Sequence, residues 1–167
     1  MRLGPKTHKN TGLLLYFSHL ITQKRVSHLE QHQVESIWTD VSLKRSKPIF
    51  IGFLYRNPSE RVDWSDRFDS IMDALCPEAK GTIPLGDFNV NLLKPNARWN
   101  QLCENFNLHQ LIDKPTRITV SSETLIDHIY VTTKHSIVEV CYPVCGCSEH
   151  FPVCITWFKK KKRCQSS

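Results

Sequence analysis

The stretch "LGDFNVN", residues 85–91, decides how this chain is interpreted. An apolar segment, "GTIPL", leads into it, and Gly, Asp and Asn then follow closely. These residues are common turn formers, so one interpretation is a strand that simply ends in a turn. If the strand continues, alternation places Asp87 and Asn89 on one face and Phe88 in the core behind them. A carboxylate beside an amide can activate and hold a water molecule, so the second interpretation is a phosphate-handling site.

Polar residues also lie at one end of three other apolar segments. They are Tyr55, Arg56 and Asn57 in "FLYRNPS", Asp127 in "TLIDHIYV", and Ser148, Glu149 and His150 in "CSEHFPV". Polar side chains at the ends of several buried strands predict one site at one edge of a sheet. His128 points opposite Asp127 by alternation, which favours a packed or surface histidine over a ligand.

Length and composition indicate one folded domain. The chain has 167 residues, of which 40% are hydrophobic and 23% charged, as in ordinary globular proteins. No apolar run reaches the roughly 20 residues that a membrane span requires. The net charge of +6 favours a polyanionic partner such as nucleic acid. The tail "KKKKR", residues 159–163, is either a solvated end or a basic patch.

The cysteines do not form an evident disulfide framework. There are seven, an odd number that fits free thiols in a reducing compartment. Cys141, Cys145, Cys147 and Cys154 cluster around His150 in sequence, but their spacing lacks the paired C-x-x-C of tetrahedral zinc sites. Free thiols are therefore the expectation.

Periodicity predicts a strand-rich chain with two helices. Residues 36–43 alternate, as in a half-buried strand, and residues 49–58 are apolar on both faces, so the two predict an antiparallel hairpin. Trp64, Phe68, Ile71 and Leu75 form a helical stripe that Pro77 ends, and residues 96–108 repeat the pattern. We predict further strands at 11–21, 81–89, 125–132, 136–144 and 150–158, and a polar loop at 113–124. The expected class is α/β (α+β), with mostly antiparallel sheets.

Four motifs in this order carry a family resemblance: "LYRNP", "LGDFNVN", "PTRITVSSETLIDHIYV" and "SEHFPV". Together they resemble the endonuclease/exonuclease/phosphatase family, and more narrowly the endonuclease domain of non-LTR retrotransposons. The resemblance runs from about residue 12 to residue 157. It implies a two-layered β-sandwich flanked by helices and Mg²⁺-dependent phosphodiester hydrolysis, with Mn²⁺ as an alternative metal. In the retrotransposon branch the substrate is double-stranded DNA.

The resemblance also implies a role for each site residue. Asp87 would deprotonate or orient the attacking water, and Asn89 would help to hold it. Tyr55 would contact the phosphate. His150 would bind the phosphoryl oxygen while Asp127 orients its imidazole. Glu149 stands where the family usually has a metal-linked Asp, and the remaining residues, Arg56, Arg117 and Asn91, are expected to contact DNA.

Four of these residues have a purely structural alternative. Asp87 and Asn89 could simply cap a strand, Tyr55 could be a core residue, and Asn91 could be a turn residue. For the whole chain, the alternative function is a non-catalytic nucleic-acid-binding remnant. A family phosphatase is disfavoured, because "PTRIT" and "TLIDHIYV" resemble the retrotransposon branch.

Two departures from the family pattern bear on activity: Glu149 stands in place of the usual Asp, and the first strands of the family domain are missing. The family domain opens with two strands that carry an Asn and a metal-binding Glu, and both precede the position of "GLLLYF". We therefore expect a partial domain over 12–158, with flexible basic termini at 1–11 and 159–167, and weak or absent activity. An intracellular, nuclear protein that acts on DNA is expected, with neither a membrane nor an obligate protein partner.

Overall fold

The computed structural model describes residues 13–30, 34–42, 47–59, 64–75, 79–133, 137–144, 146 and 148–157. The predicted termini at 1–11 and 159–167 lie outside the described residues, as do Leu43, Pro77 and both predicted domain boundaries. The elements, in chain order, are β1 (Gln23–Arg25), a 3-10 turn (Ser27–Leu29), β2 (Glu35–Val41), β3 (Ile49–Tyr55), α1 (Trp64–Leu75), β4 (Gly81–Asp87), α2 (Ala97–Asn105), β5 (His109–Gln110), β6 (Arg117–Ile118), β7 (Glu123–Thr124), β8 (Asp127–Val131), β9 (Ile137–Cys141) and β10 (Cys154–Trp157).

Six of these strands form one sheet in the order β1-β2-β3-β4-β8-β5. β2 and β3 form the predicted antiparallel hairpin. β3 and β4 run parallel, and α1 makes the crossover that parallel neighbours require. The remaining pairs of this sheet are antiparallel. The predicted α/β (α+β) class with mostly antiparallel strands is confirmed.

The sheet has an apolar cluster on each face. Helices α1 and α2 cover one face, where Phe68 and Trp99 join Phe88 and Tyr130 in the larger cluster. The opposite face carries Ile49, Ile83, Ile129 and others, and the β9–β10 ladder packs against it through partly buried side chains, including Trp157. The result is the expected two-layered arrangement of strands with helices on the outside.

The helical stripe packs as predicted. Trp64, Phe68, Ile71 and Leu75 are all buried, and the Trp64 and Phe68 rings stack with centroids 5.3 Å apart. α2 begins after Asn96, whose side chain accepts a hydrogen bond from the third helical residue, a common N-cap. The two helices therefore form at the predicted positions.

Three expectations of local structure are wrong. The segment 11–21 was predicted as a strand, but its described part, residues 13–21, contains only an isolated bridge at Leu15. Leu15 is buried, whereas Tyr16 and Leu20 are exposed. β2 was predicted to be half-buried, but it is buried on both faces. Its Trp38 is fully buried, because the Trp38 ring occupies the space that a side chain at Gly52 would fill. The loop at 113–124 contains the short β6–β7 hairpin.

No helix in the described part of the chain is long and apolar enough to cross a membrane.

Candidate active site

Strand register brings Tyr55, Asp87 and Asp127 into one row. Asp87, the last residue of β4, lies opposite Tyr55 in the parallel pair with β3. It also lies opposite Asp127, the first residue of β8. Alternation places Ile83 and Ile129 on the same face as the two aspartates, which is the face that the β9–β10 ladder covers. The pairing of β3, β4 and β8 therefore brings these three residues together at one edge of the sheet.

His150 completes a cluster with the two aspartates. Its Nδ1 lies 2.9 Å and 3.2 Å from the two carboxylate oxygens of Asp127. Ligand atoms of Asp87, Asp127 and His150 all lie within 4.8 Å of one another, and all three residues are half-buried. Three residues far apart in sequence therefore meet at one point, as their expected roles require.

Thr116 holds this cluster in place and was not singled out from the sequence. Its buried hydroxyl oxygen accepts hydrogen bonds from the backbone N–H groups of Asp127 at 2.9 Å and Ile126 at 3.2 Å. Its carbonyl accepts from the N–H of Phe151 at 2.7 Å. One threonine thus ties the segment of Asp127 to the segment of His150. The only sign of this role in the sequence was the position of Thr116 beside Arg117 in the "PTRIT" motif.

The expected alternation of Asp87 and Asn89 in a continuing strand is wrong. β4 ends at Asp87, and Asn89 has a φ of 48°, a left-handed conformation that Asn tolerates well. The Asp87 Oδ1 accepts a 2.9 Å hydrogen bond from the Asn89 N–H, which is an Asx turn. Phe88 is nonetheless fully buried, as predicted.

Arg56 links the end of β3 to this turn. The Asn89 side-chain amide donates to the Arg56 carbonyl at 2.7 Å, and the Arg56 guanidinium donates to the Asn89 carbonyl at 3.1 Å. The Arg56 N–H also donates to the Asp87 carbonyl at 2.9 Å. Both Arg56 and Asn89 therefore fix the backbone around Asp87. Contacts of Arg56 with DNA remain a prediction.

Gly86 allows β4 to pass close to β3. Its φ is 139°, and a Cβ atom there would collide with the backbone carbonyl of Leu54. Only glycine satisfies both requirements without strain. The glycine of "LGDFNVN" is thus explained by the close approach of two backbones beside the site.

The environment of Asp87 disfavours its charged form. Burial raises the pKa of this carboxyl, and the nearby Asp127 carboxylate raises it further. The Asn89 N–H, His150 and Arg117 lower the pKa but do not offset the desolvation. A carboxylate with a raised pKa is a better proton acceptor than an ordinary one, and a nearby cation would relieve its repulsion with Asp127.

The donor set of the cluster fits a divalent cation. Asp87 and Asp127 supply carboxylate oxygens, the ligands that Mg²⁺ prefers, and their half-burial leaves access for the water molecules that Mg²⁺ retains. An imidazole in the same cluster is also compatible with Mn²⁺ and other transition metals. The fit rests on the donor atoms and their mutual proximity.

Glu149 and Asn91, two of the expected site residues, contact other groups in this structure. Glu149 was expected to be a metal ligand, but its carboxylate forms a 2.7 Å ion pair with the Arg117 guanidinium, and its side chain is 58% exposed. Asn91 accepts hydrogen bonds from the N–H groups of Leu93 and Leu125, both at 3.1 Å. Asn91 therefore braces a turn. The catalytic, metal-binding and DNA-binding roles expected for all of the site residues remain predictions.

A buried polar chain supports the site from behind. The fully buried His128 ring stacks on Phe88 with centroids 4.9 Å apart. Its Nδ1 lies 3.1 Å from the Tyr130 hydroxyl, which accepts a hydrogen bond from Trp99 at 2.7 Å. His128 is thus a packed histidine, as expected, and it anchors the turn after β4 through the Val90 carbonyl at 2.9 Å.

Comparison with known proteins identifies the fold. No protein-family model and no curated protein sequence matches the chain. Among solved structures, it is similar to the endonuclease domain of TRAS1, a telomere-specific non-LTR retrotransposon, with a TM-score of 0.74 and 15% identity. That match covers 92% of this chain and 76% of the TRAS1 domain.

Two further solved structures share the fold. The 3′ phosphatase NExo from Neisseria, bound to product DNA hairpin, has a TM-score of 0.60 at 14% identity, covering 84% of this chain and 71% of that one. An endonuclease/exonuclease/phosphatase family protein from Leptotrichia buccalis has a TM-score of 0.56 at 14% identity, covering 74% and 54%. The chain therefore has the endonuclease/exonuclease/phosphatase fold, as the motifs predicted.

Proposed function

We propose that this chain is a metal-dependent phosphodiesterase that nicks DNA, of the retrotransposon-endonuclease type. The observation that carries the proposal is the cluster of Asp87, Asp127 and His150 at one sheet edge, with ligand atoms within 4.8 Å of one another. Support for the substrate comes from the TRAS1 endonuclease domain and the DNA-bound Neisseria phosphatase, which have the same fold. The net charge of +6 favours a polyanionic substrate. A nuclear location follows from this proposal.

Asp87 is the proposed general base. Its Oδ1 is engaged by the Asn89 N–H, which fixes the orientation of the carboxylate. The raised pKa of Asp87 brings its basicity closer to the operating pH, which favours proton transfer from water. Asn89 acts chiefly by fixing Asp87, since its side-chain amide also bonds the Arg56 carbonyl.

His150 is the proposed phosphate-binding group. Its Nδ1 faces the Asp127 carboxylate, so Nε2 is the nitrogen that remains to contact a phosphoryl oxygen. In the doubly protonated form the ring donates from both nitrogens, so Nδ1–H can bond Asp127 while Nε2–H bonds the phosphoryl oxygen. Tyr55, in the same row of residues, is proposed as a further phosphate contact.

The Asp127 carboxylate is the proposed donor for Mg²⁺, with Glu149 as a second donor if it leaves Arg117, so that Asp87 remains available as the base. Held there, Mg²⁺ would supply Lewis-acid stabilisation of the negative charge that develops on a phosphoryl oxygen.

Nicking of supercoiled plasmid tests the proposal. Purified protein is incubated with plasmid in Mg²⁺, in Mn²⁺ and with a chelator, and open-circular product is quantified on a gel. We expect slow, metal-dependent nicking that the chelator abolishes. Nicking that persists in the chelator would contradict metal dependence, and no nicking with either metal would contradict catalysis.

The same samples decide the alternative of non-catalytic binding. If plasmid is bound but not cut, and affinity falls steeply as salt rises, the chain is a nucleic-acid-binding module that neutralises phosphates.

A further inference from the structure

Cys141 and Cys154 face each other across the β9–β10 ladder. They are direct register partners in this antiparallel pair. Opposite residues in antiparallel strands have Cα atoms about 4.5 or 5.5 Å apart, and both values lie within the range of about 4.4–6.8 Å that disulfides span. Both cysteines are reduced thiols in this structure. The backbone therefore already has a spacing that a disulfide can bridge.

The pair lies on the outer face of the ladder. The next pair, Val140 and Ile155, packs against the apolar cluster beneath, so alternation turns the cysteines outward. Cys154 is exposed and Cys141 is half-buried. Desolvation raises the pKa of Cys141, and the neighbouring Cys154 thiol raises it further. Cys154 is thus the more accessible of the two thiols.

We propose that Cys141 and Cys154 form a reversible cross-strand disulfide when the protein meets a small-molecule disulfide such as oxidised glutathione. The Cys154 thiolate attacks one sulfur of the oxidant, which forms a mixed disulfide and releases one glutathione thiolate. The Cys141 thiolate then attacks the Cys154 sulfur and releases the second glutathione thiolate. The two protein thiols lose two electrons and two protons, and the oxidant gains the electrons.

The disulfide would close the segment between the two strands, residues 142–153. That segment carries His150, which contacts Asp127, and Glu149, which pairs with Arg117. Closing a loop of this length restricts the unfolded chain, so the oxidised protein should melt at a higher temperature than the reduced protein. This inference depends on strand register and on the exposure of the two cysteines, and it stands whether or not the chain cuts DNA.

Peptide mapping tests the proposal directly. The folded protein is incubated with oxidised glutathione, remaining thiols are alkylated, and the protein is digested with trypsin and a Glu-specific protease. Cleavage after Glu149 separates the peptide of Cys141 from that of Cys154. We expect a joined species whose mass is the sum of both peptides less two hydrogen atoms, and which reduction separates.

Cys145 and Cys147 share the peptide of Cys141, so a variant identifies the partner. In the double variant Cys145→Ser/Cys147→Ser the joined peptide should persist at the wild-type yield. Cys141→Ser should lose it, if that variant folds as judged by its melting curve. Absence of the joined peptide from the double variant would overturn the proposal even if Cys141→Ser fails to fold.

Discussion

His128 makes the stability of this protein depend on pH. The ring is fully buried behind the site, and burial lowers its pKa from 6.5 to about 4. Between these values the unfolded chain binds a proton that the folded protein does not. The contribution of His128 to stability is therefore fully present above pH 6.5 and is lost as the pH falls toward 4.

The size of the effect follows from the two pKa values. At pH 5 the loss relative to pH 8 is about 2 kcal/mol, and it approaches about 3 kcal/mol below pH 4. Asp87 contributes in the opposite direction, because its raised pKa makes the folded protein more stable as acid protonates it. A variant that removes only the histidine isolates the first effect.

Urea unfolding at a series of pH values from 8 to 4.5 measures this effect. Wild-type protein should lose about 2 kcal/mol more between pH 8 and pH 5 than His128→Gln does. His28→Gln removes an exposed histidine and should retain the wild-type pH dependence. If the unfolding free energies of wild type and His128→Gln changed equally with pH, this would refute the conclusion that His128 is buried in its neutral form.

Three further substitutions test the contacts around the site. Tyr130→Phe leaves the buried Trp99 and His128 nitrogens without their partner and should cost about 2–4 kcal/mol in urea unfolding. Thr116→Val removes the acceptor of two backbone N–H groups and should cost about 2–4 kcal/mol and slow plasmid nicking. Asp87→Asn should raise stability at pH 7, because the charged form of a group with raised pKa is disfavoured in the folded protein, and its advantage should shrink as pH falls.

The tyrosine and threonine substitutions each have a control of the same chemistry. Tyr16→Phe and Thr133→Val alter exposed residues and should change unfolding free energy by less than about 0.5 kcal/mol. Losses at Tyr130 or Thr116 no larger than those of the controls would contradict the hydrogen bonds assigned to them. An Asp87→Asn protein less stable than wild type at pH 7 would contradict the desolvation of that carboxyl.

The sequence predicted the elements whose pattern is set by local burial. The stripe from Trp64 to Leu75 became α1, and the apolar run at 49–55 became the central strand β3. The motifs also indicated that Asp87, Asp127 and His150 belong to one site. These features follow from periodicity and residue type, which a sequence displays directly.

Features set by distant contacts could not be predicted. The turn at Asn89 depends on the Arg56 backbone and side chain, which alternation within one strand does not reveal. The pairing of Glu149 with Arg117 depends on a bridge between Arg117 and His150. Burial of Trp38 on the second face of β2 required a glycine in the neighbouring strand. In each case the partner lies at a position that only the fold brings near.

The catalytic role of Asp87 is the central claim, and paired variants test it most directly. Plasmid nicking rates in Mg²⁺ are compared for wild type, Asp87→Asn and Asp66→Asn, where Asp66 is an exposed aspartate in α1. All three proteins are purified identically and shown to be folded. We predict that Asp87→Asn loses about 100-fold or more of the rate, while Asp66→Asn retains it. Equal nicking by wild type and Asp87→Asn would contradict the proposed active site.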